Sequence, residues 1–353
     1  MDFAGKIEAT INAGDPSFLD KAIDMNALMN QTLKGLRVTK QMMSGFRAGL
    51  GNFKFGTMVV ARSIQNGGSY KFLRLRNTNG ETRAIFRLLQ NADGGVNYHE
   101  LVLTLPREGG PSVMDMYIHL GGEYMSDTLR RAFLPAIAEK NKGFLARLTG
   151  RQGDYIKSLP KMQAMQQLAR QGKMAEALAI LKALPASLQT DKNILMQRVV
   201  YAAEVDEAEY AAALEAMRKA YPKDPCLDLL CLDALILKKK YAETIRAADR
   251  IDRNIGGDPY LDVFRSNVYY TEKKLGKARQ CAEKAIAAEP TLTDGHFTLI
   301  TICLDQKDYP KVAEILTVLE KDLGVELTDL TEVPVYADFV KSDEYKKLSL
   351  IHI

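Results

Sequence analysis

The sequence predicts an α+β N-terminal domain, with helices packed on a curved antiparallel sheet, followed by an all-α solenoid of helix hairpins. Three observations carry this. Residues 1–50 space their apolar side chains as helices do. From about residue 52 to 120 the period switches to two. Five related segments then recur in the C-terminal half, at steps of 36, 31, 34 and 34 residues. With 353 residues there is room for two or more domains, each with its own core.

The N-terminal elements follow in order. Asp15 ahead of "PSFLDKAI" is an N-cap with proline at the first helical position. "GFRAGLGNFKFG" (45–56) matches neither the dinucleotide nor the P-loop fingerprint and is expected to end a helix and enter a strand. "FGTMVVARSI", "SYKFLRLRN", "ETRAIFRLLQ", "NYHELVLTL" and "SVMDMYIHL" are five strand candidates, and "NTNGE" places Asn79-Gly80 at a tight hairpin turn. "SDTLRRAFLPAIAEKNKGFLARL" (126–148) returns to helix and leads into the repeats.

Registering the hairpin on Asn79-Gly80 sorts the side chains. One face carries Leu73, Leu75, Ala84, Phe86 and Leu88, continued by Leu101, Leu103, Leu105, Met114, Met116 and Ile118. It requires a cover of helices, which the first 50 residues can supply. The other face carries Phe72, Arg74, Arg76, Arg83, Ile85 and Arg87, with Tyr98, Glu100, Asp115, Tyr117 and His119 beside them. Arg76 and Arg83 fall opposite each other, and like charges there destabilise the pair unless an anion or carboxylate intervenes. Glu100 or Asp115 could be that carboxylate. The polar face is therefore an anionic-ligand cradle, an acid/base pair of Asp115 with His119 or Tyr117, or an ordinary charged face. An ordinary face would be solvated, docked on the repeats, or docked on a second copy in a homodimer. His99 falls among apolar residues and is expected to be a core histidine.

The C-terminal segments are "GKMAEALAILKAL", "EYAAALEAMRKAYPKDP", "KYAETIRAADRI", "LGKARQCAEKAIAAEP" and "DYPKVAEILTVL". They align on Ala177, Ala213, Thr244, Ala278 and Val312, with Leu181, Met217, Ala248, Ala282 and Leu316 four residues later. Each follows an amphipathic helix and a short polar turn. Tyr210, Tyr241 and Tyr309 mark turns, and Pro225 and Pro290 close units, since proline cannot continue a helix. "PVYADFVKSDEYKKL" (334–348) is expected to be a capping helix with Ser342 as N-cap.

A unit of about 34 residues built from two antiparallel helices resembles the tetratricopeptide repeat. The family's first-helix Trp and Gly are absent, and Leu232 and Ser266 stand where that Gly would be. The resemblance implies that first helices line a concave groove that grips peptides. Its groove positions fall on Arg198, Asp233, Asn267 and Phe297, with Tyr260 and Tyr270 on the same inner surface. Of the Lys and Asn set that clamps a terminal carboxylate only Asn267 is present, so chaperone-tail binding is not indicated. The layout of residues 1–150 resembles NTF2-like or cystatin-like domains, a class that includes enzymes, ligand binders and dimerisation modules. The expected division is 1–150, five repeat units over 151–325, and a cap over 326–353.

Composition narrows the function classes. A net charge of +4 without a basic run does not suit nucleic acid. No stretch approaches the roughly 18 apolar residues of a membrane span. The four cysteines form no CxxC pair and read as free thiols in a reducing, cytoplasmic setting. The alternative is an exported protein whose leader has been removed. The four histidines fit no metal-binding spacing, and neither a metal nor a cofactor is expected. The expectation is a scaffold or adaptor that binds a protein or peptide through the repeat groove. The alternative is an N-terminal domain that binds or turns over a small anion, with the repeats as tether or oligomerisation module.

Overall fold

The computed structural model describes all residues except 1, 2, 37, 52, 63, 79, 91–94, 106–109, 141–149, 223, 225 and 351–353. The turn residue Asn79 and the closing proline Pro225 lie outside the described residues. The chain divides into two compact units, Met1–Leu230 and Cys231–Ile353. The first contains the sheet and two helix hairpins, so position 150 falls inside it.

The first unit opens with five helices: α1 (Phe3–Asn12), α2 (Ser17–Ala22), α3 (Met25–Leu33), α4 (Lys40–Leu50) and α5 (Phe55–Arg62). Asp15 accepts from the Ser17 amide, and Asp24 and Thr39 cap α3 and α4. A five-stranded antiparallel meander follows: β1 (Ser69–Thr78), β2 (Glu81–Gln90), β3 (Gly95–Thr104), β4 (Ser112–Ile118) and β5 (Glu123–Tyr124). Helix α6 (Met125–Lys140) comes next, then the hairpins α7 (Gly150–Arg170) with α8 (Met174–Lys182) and α9 (Lys192–Ala203) with α10 (Glu207–Ala220).

The strand expected at 55–64 is helix α5, and the segment before it therefore joins two helices. The cause is a cap supplied from a distance. Asp20 of α2 accepts from the Gly56 amide at 2.7 Å and from the Thr57 hydroxyl at 2.9 Å, meeting donors that a helix start leaves open. A Cβ at Gly56 would lie 2.7 Å from the Pro16 carbonyl oxygen, so only glycine allows α2 and α5 this close. Phe55, Val59 and Val60 are then buried in the helix–sheet core, which outweighs the strand preference of the two valines.

Two bulges also revise the sorting of faces. The β1–β2 register slips between Phe72 and Arg74, so Phe72 pairs with Phe86 and packs into the core. The β3–β4 register slips between Val102 and Leu103, which brings Val113 to the core side at 1% exposure in place of Met114. A one-residue insertion flips everything beyond it on that strand. Leu75 and Leu105 stay exposed at the sheet's end, although the alternation placed them on the covered face.

Strand β1 is an edge, and α1 covers part of it. The Asn12 amide donates to the Tyr70 carbonyl at 2.8 Å and accepts from the Tyr70 amide at 2.9 Å, as a neighbouring strand would. Glu8 accepts from the Phe72 amide at 2.8 Å and pairs with Lys71. Side chains placed this way block edge-to-edge association. Asn12→Ala is expected to cost roughly 1–3 kcal/mol, read from urea unfolding, because it leaves both Tyr70 groups unmet.

The second unit contains the last residues of α11 (Cys226–Leu237), the helices α12 (Tyr241–Ile255), α13 (Pro259–Thr271), α14 (Leu275–Ala288), α15 (Thr293–Gln306) and α16 (Tyr309–Lys321), and α17 (Asp343–Leu350). All five aligned segments are second helices of hairpins. Ala177, Ala213, Thr244, Ala278 and Val312 are each 0% exposed, which explains their size: they sit where another helix leaves no room. Ser266, at the missing glycine, donates its hydroxyl to the Ala278 carbonyl at 2.7 Å. Lys239, Lys273 and Lys307, spaced 34 residues apart, all adopt positive φ at the turn between helices of their hairpins. His296 reaches the carbonyl of the closing Pro290 at 2.9 Å. Ser342 accepts from the Tyr345 amide at the start of α17, which is shorter than the helix expected and follows short 3₁₀ turns.

Candidate functional site

The polar face of the sheet gathers charged side chains from adjacent strands, and its centre is buried. Ile85, Arg87, Tyr98, Glu100, Val102, Asp115 and His119 are all 7% exposed or less. Arg76 pairs directly opposite Arg83, as the hairpin register requires. Glu100 resolves the conflict. It accepts from Arg76 at 2.7 Å, from Arg83 at 3.1 Å and from His119 Nε2 at 2.8 Å. Arg83 also donates to Glu81 at 2.7 Å and to the Tyr124 hydroxyl at 2.6 Å. Burial alone would raise the Glu100 carboxyl, but the His119 hydrogen bond and charge and the two guanidinium groups outweigh it and hold it at about 2. The centre of the face is therefore not a solvated surface.

Asp115 does not join this network. Its carboxylate accepts from the Ser126 hydroxyl at 2.6 Å and amide at 3.2 Å, at the N-terminus of α6. The expected acid/base pairing with His119 or Tyr117 is not formed, because His119 is turned to Glu100 and Tyr117 to the helices. The Tyr117 hydroxyl donates to Asp224 at 2.7 Å and accepts from Lys192 at 2.8 Å, and Lys192 itself pairs with Asp224. Lys192 and Asp224 had no sequence signal, since 75 and 107 residues separate them from Tyr117. Arg74 is half-buried on β1 beside this cluster.

His99 lies on the opposite face in the core, 3.2 Å from the Tyr70 hydroxyl and edge-on to Phe55. Burial, helped by His119, pushes its pKa down to about 3. The unfolded chain protonates this histidine near pH 6.5, while the folded protein keeps it neutral to about pH 3. Between those values the unfolded state binds more protons, so stability falls as pH drops, by up to about 1.4 kcal/mol per pH unit. His99→Gln is expected to flatten that dependence between pH 6.5 and 4.5, measured as urea midpoints.

The positions implied by the repeat resemblance divide between the units. Arg198 lies half-buried on α9 in the first. In the second, Asp233 is exposed on α11 and Tyr260 is half-buried at the start of α13. Asn267 and Tyr270 come together with α15: Thr298 donates to Asn267 at 3.3 Å, and the Tyr270 hydroxyl to Asp305 at 2.6 Å. That bond, together with burial, pushes the Tyr270 hydroxyl up to about 12. Phe297, one helical turn before Thr301 on α15, is 42% exposed.

Among the described residues no helix is long and apolar enough to cross a membrane, and no group of three or more His, Cys, Asp or Glu is placed to hold a metal. Cys226, Cys231 and Cys303 are buried free thiols, and Cys281 is half-buried.

No family model matches the sequence, and no curated protein matches it either. Solved structures similar to parts of the chain include the MamA RS-1 ArsTM double mutant, at 19% identity and a TM-score of 0.37 over 46% of this chain and 91% of that one. A second is MamA from residue 41 to its end, from Desulfovibrio magneticus RS-1, at 20% identity and a TM-score of 0.37 over 48% and 95%. Likeness at that level carries no weight here, and the tetratricopeptide-like reading stands on the chain's own 34-residue period and buried small residues.

Proposed function

We propose that the chain is a protein-interaction scaffold that binds a peptide or protein partner on the first-helix side of its C-terminal repeats. The observation that supports this is the pairing of α13 and α15, whose cross-helix bonds hold Asn267, Tyr270 and Thr298 together while Phe297 stays in water. An exposed aromatic on a helix whose polar side chains are fixed by cross-helix bonds is suited to anchor a partner. A sheet-face anion cradle has no comparable support, because Glu100 and Glu81 already answer Arg76 and Arg83. The NTF2-like or cystatin-like resemblance of residues 1–150 enters only as a layout of helices against an antiparallel meander.

The test is affinity capture from native cells with three proteins: the wild type, Phe297→Ser and Leu75→Ser. Leu75 is 55% exposed at the far end of the sheet and serves as the control. A stoichiometric partner is expected to be lost with Phe297→Ser and kept with Leu75→Ser. Retention by Phe297→Ser would overturn the assignment.

A further inference from the structure

The first unit holds a second feature that the scaffold role does not use. A cleft of about 610 Å³ opens between the β4–β5 end of the sheet, α6, α7 and the N-terminus of α9. That volume lies within the ~300–1,000 Å³ typical of small-molecule sites. One stripe of α6 faces it, with Asp127, Arg130 and Leu134 three and four residues apart, and Tyr155 of α7 and Tyr124 of β5 add phenol rings.

The charges in its walls are almost all spoken for. Arg131 pairs with Glu123, Arg151 with Asp191, and Lys192 with Asp224. One acid and one base remain. Asp127 is exposed: it accepts a hydrogen bond from the Tyr124 main chain and feels the charges of Arg131 and Arg130, but no ion pair with it is formed among the described residues. Arg130 donates to the main-chain carbonyl of Lys34, and its Nε, shielded from water, has no hydrogen-bond partner among the described residues. The two sit one helical turn apart, where side chains three residues apart are neighbours.

Four acids and four bases line the cleft, so it offers no net field to a simple anion or cation. What it offers is one carboxylate outside any close ion pair beside one incompletely bonded guanidinium, with apolar and aromatic surface next to them. The complementary ligand carries an ammonium and a carboxylate close together and an apolar body. We propose that this cleft binds a free α-amino acid with a large apolar side chain, its ammonium on Asp127, its carboxylate on Arg130, and its side chain against Leu134 and Tyr155.

Calorimetric titration of the full chain tests this with L-phenylalanine and L-leucine. N-acetyl-L-phenylalanine, which lacks the ammonium, and L-phenylalaninamide, which lacks the carboxylate, are the comparison ligands. A charge-assisted hydrogen bond is worth ~1.5–3 kcal/mol, so blocking either end is expected to weaken binding by about tenfold or more. Asp127→Asn should weaken L-phenylalanine by a similar factor and leave the N-acetyl derivative unaffected. Arg130→Gln should do the converse with the amide. No heat at millimolar free amino acid would overturn the proposal. So would equal affinity for free and blocked forms, or wild-type affinity in both variants. The blocked-ligand arms use unmodified protein, so a folding defect in a variant cannot decide the result.

Discussion

Replacing Glu100 with glutamine is expected to destabilise the protein by about 3–5 kcal/mol, the usual consequence of removing one partner from a buried ion network. Glu100 is 2% exposed and receives Arg76, Arg83 and His119. Neutralising it leaves two guanidinium groups opposite each other on adjacent strands with no intervening charge. Glu81→Gln is the control. Its carboxylate also bonds Arg83, but 42% of its side chain is exposed, and a pair that open to water is worth ~1 kcal/mol or less. Urea unfolding at pH 7 separates the two. A loss under about 1 kcal/mol for Glu100→Gln would mean that the network is solvated and structurally idle.

The same substitution has a signature in acid. The Glu100 pKa is depressed, from 4.5 to about 2, so its stabilisation is complete above pH 4.5 and lost as pH falls through 2. The His99 contribution is lost earlier, between 6.5 and 3. Glu100→Gln should therefore flatten the stability profile below pH 4.5 and leave the slope from 6.5 to 4.5 intact, whereas His99→Gln acts on that upper window.

Gly122→Ala is the second large effect, at roughly 2–5 kcal/mol. Gly122 has φ +63°, a region costly for any residue with a side chain. A Cβ there would also lie 2.7 Å from Cys226 Sγ and 2.8 Å from Lys192 Cε. The β4–β5 turn thus meets the starts of α9 and α11 through a position only glycine can fill. Relieving the clash would shift Lys192, which also bonds Tyr117 and Asp224. A second readout follows: tyrosine near-ultraviolet circular dichroism should change with Gly122→Ala and hold in the neighbouring Gly121→Ala, whose Cβ would meet nothing closer than 3.7 Å. Equal stability of the two variants would show that the turn moves freely.

Much of this protein was legible in its residues. The five buried small positions announced themselves at a 34-residue period because every hairpin repeats the same packing problem. The Asn79-Gly80 hairpin set a register that put Arg76 against Arg83, and Glu100 and Asp115 on the strands beyond were the two available counter-charges. The locally capped helices, at Asp15, Asp24 and Thr39, carry their caps within three residues of the amides they serve.

What the sequence missed has a common cause. Asp20 caps α5 from 36 residues away, and Asp115 caps α6 from a strand 11 residues earlier; neither leaves a local signature, so the sequence pattern alone favours a strand at α5 and an acid/base role for Asp115. Each bulge adds one residue that no alternation pattern marks, and so alternation alone puts Phe72 on the polar face and Met114 in the core position that Val113 holds. Period and composition determined which elements exist, because they record local geometry and burial averaged along each element. Which charges meet, which helix ends are capped, and where a cleft opens depend on residues brought together across tens of positions, and only the tertiary structure decided those.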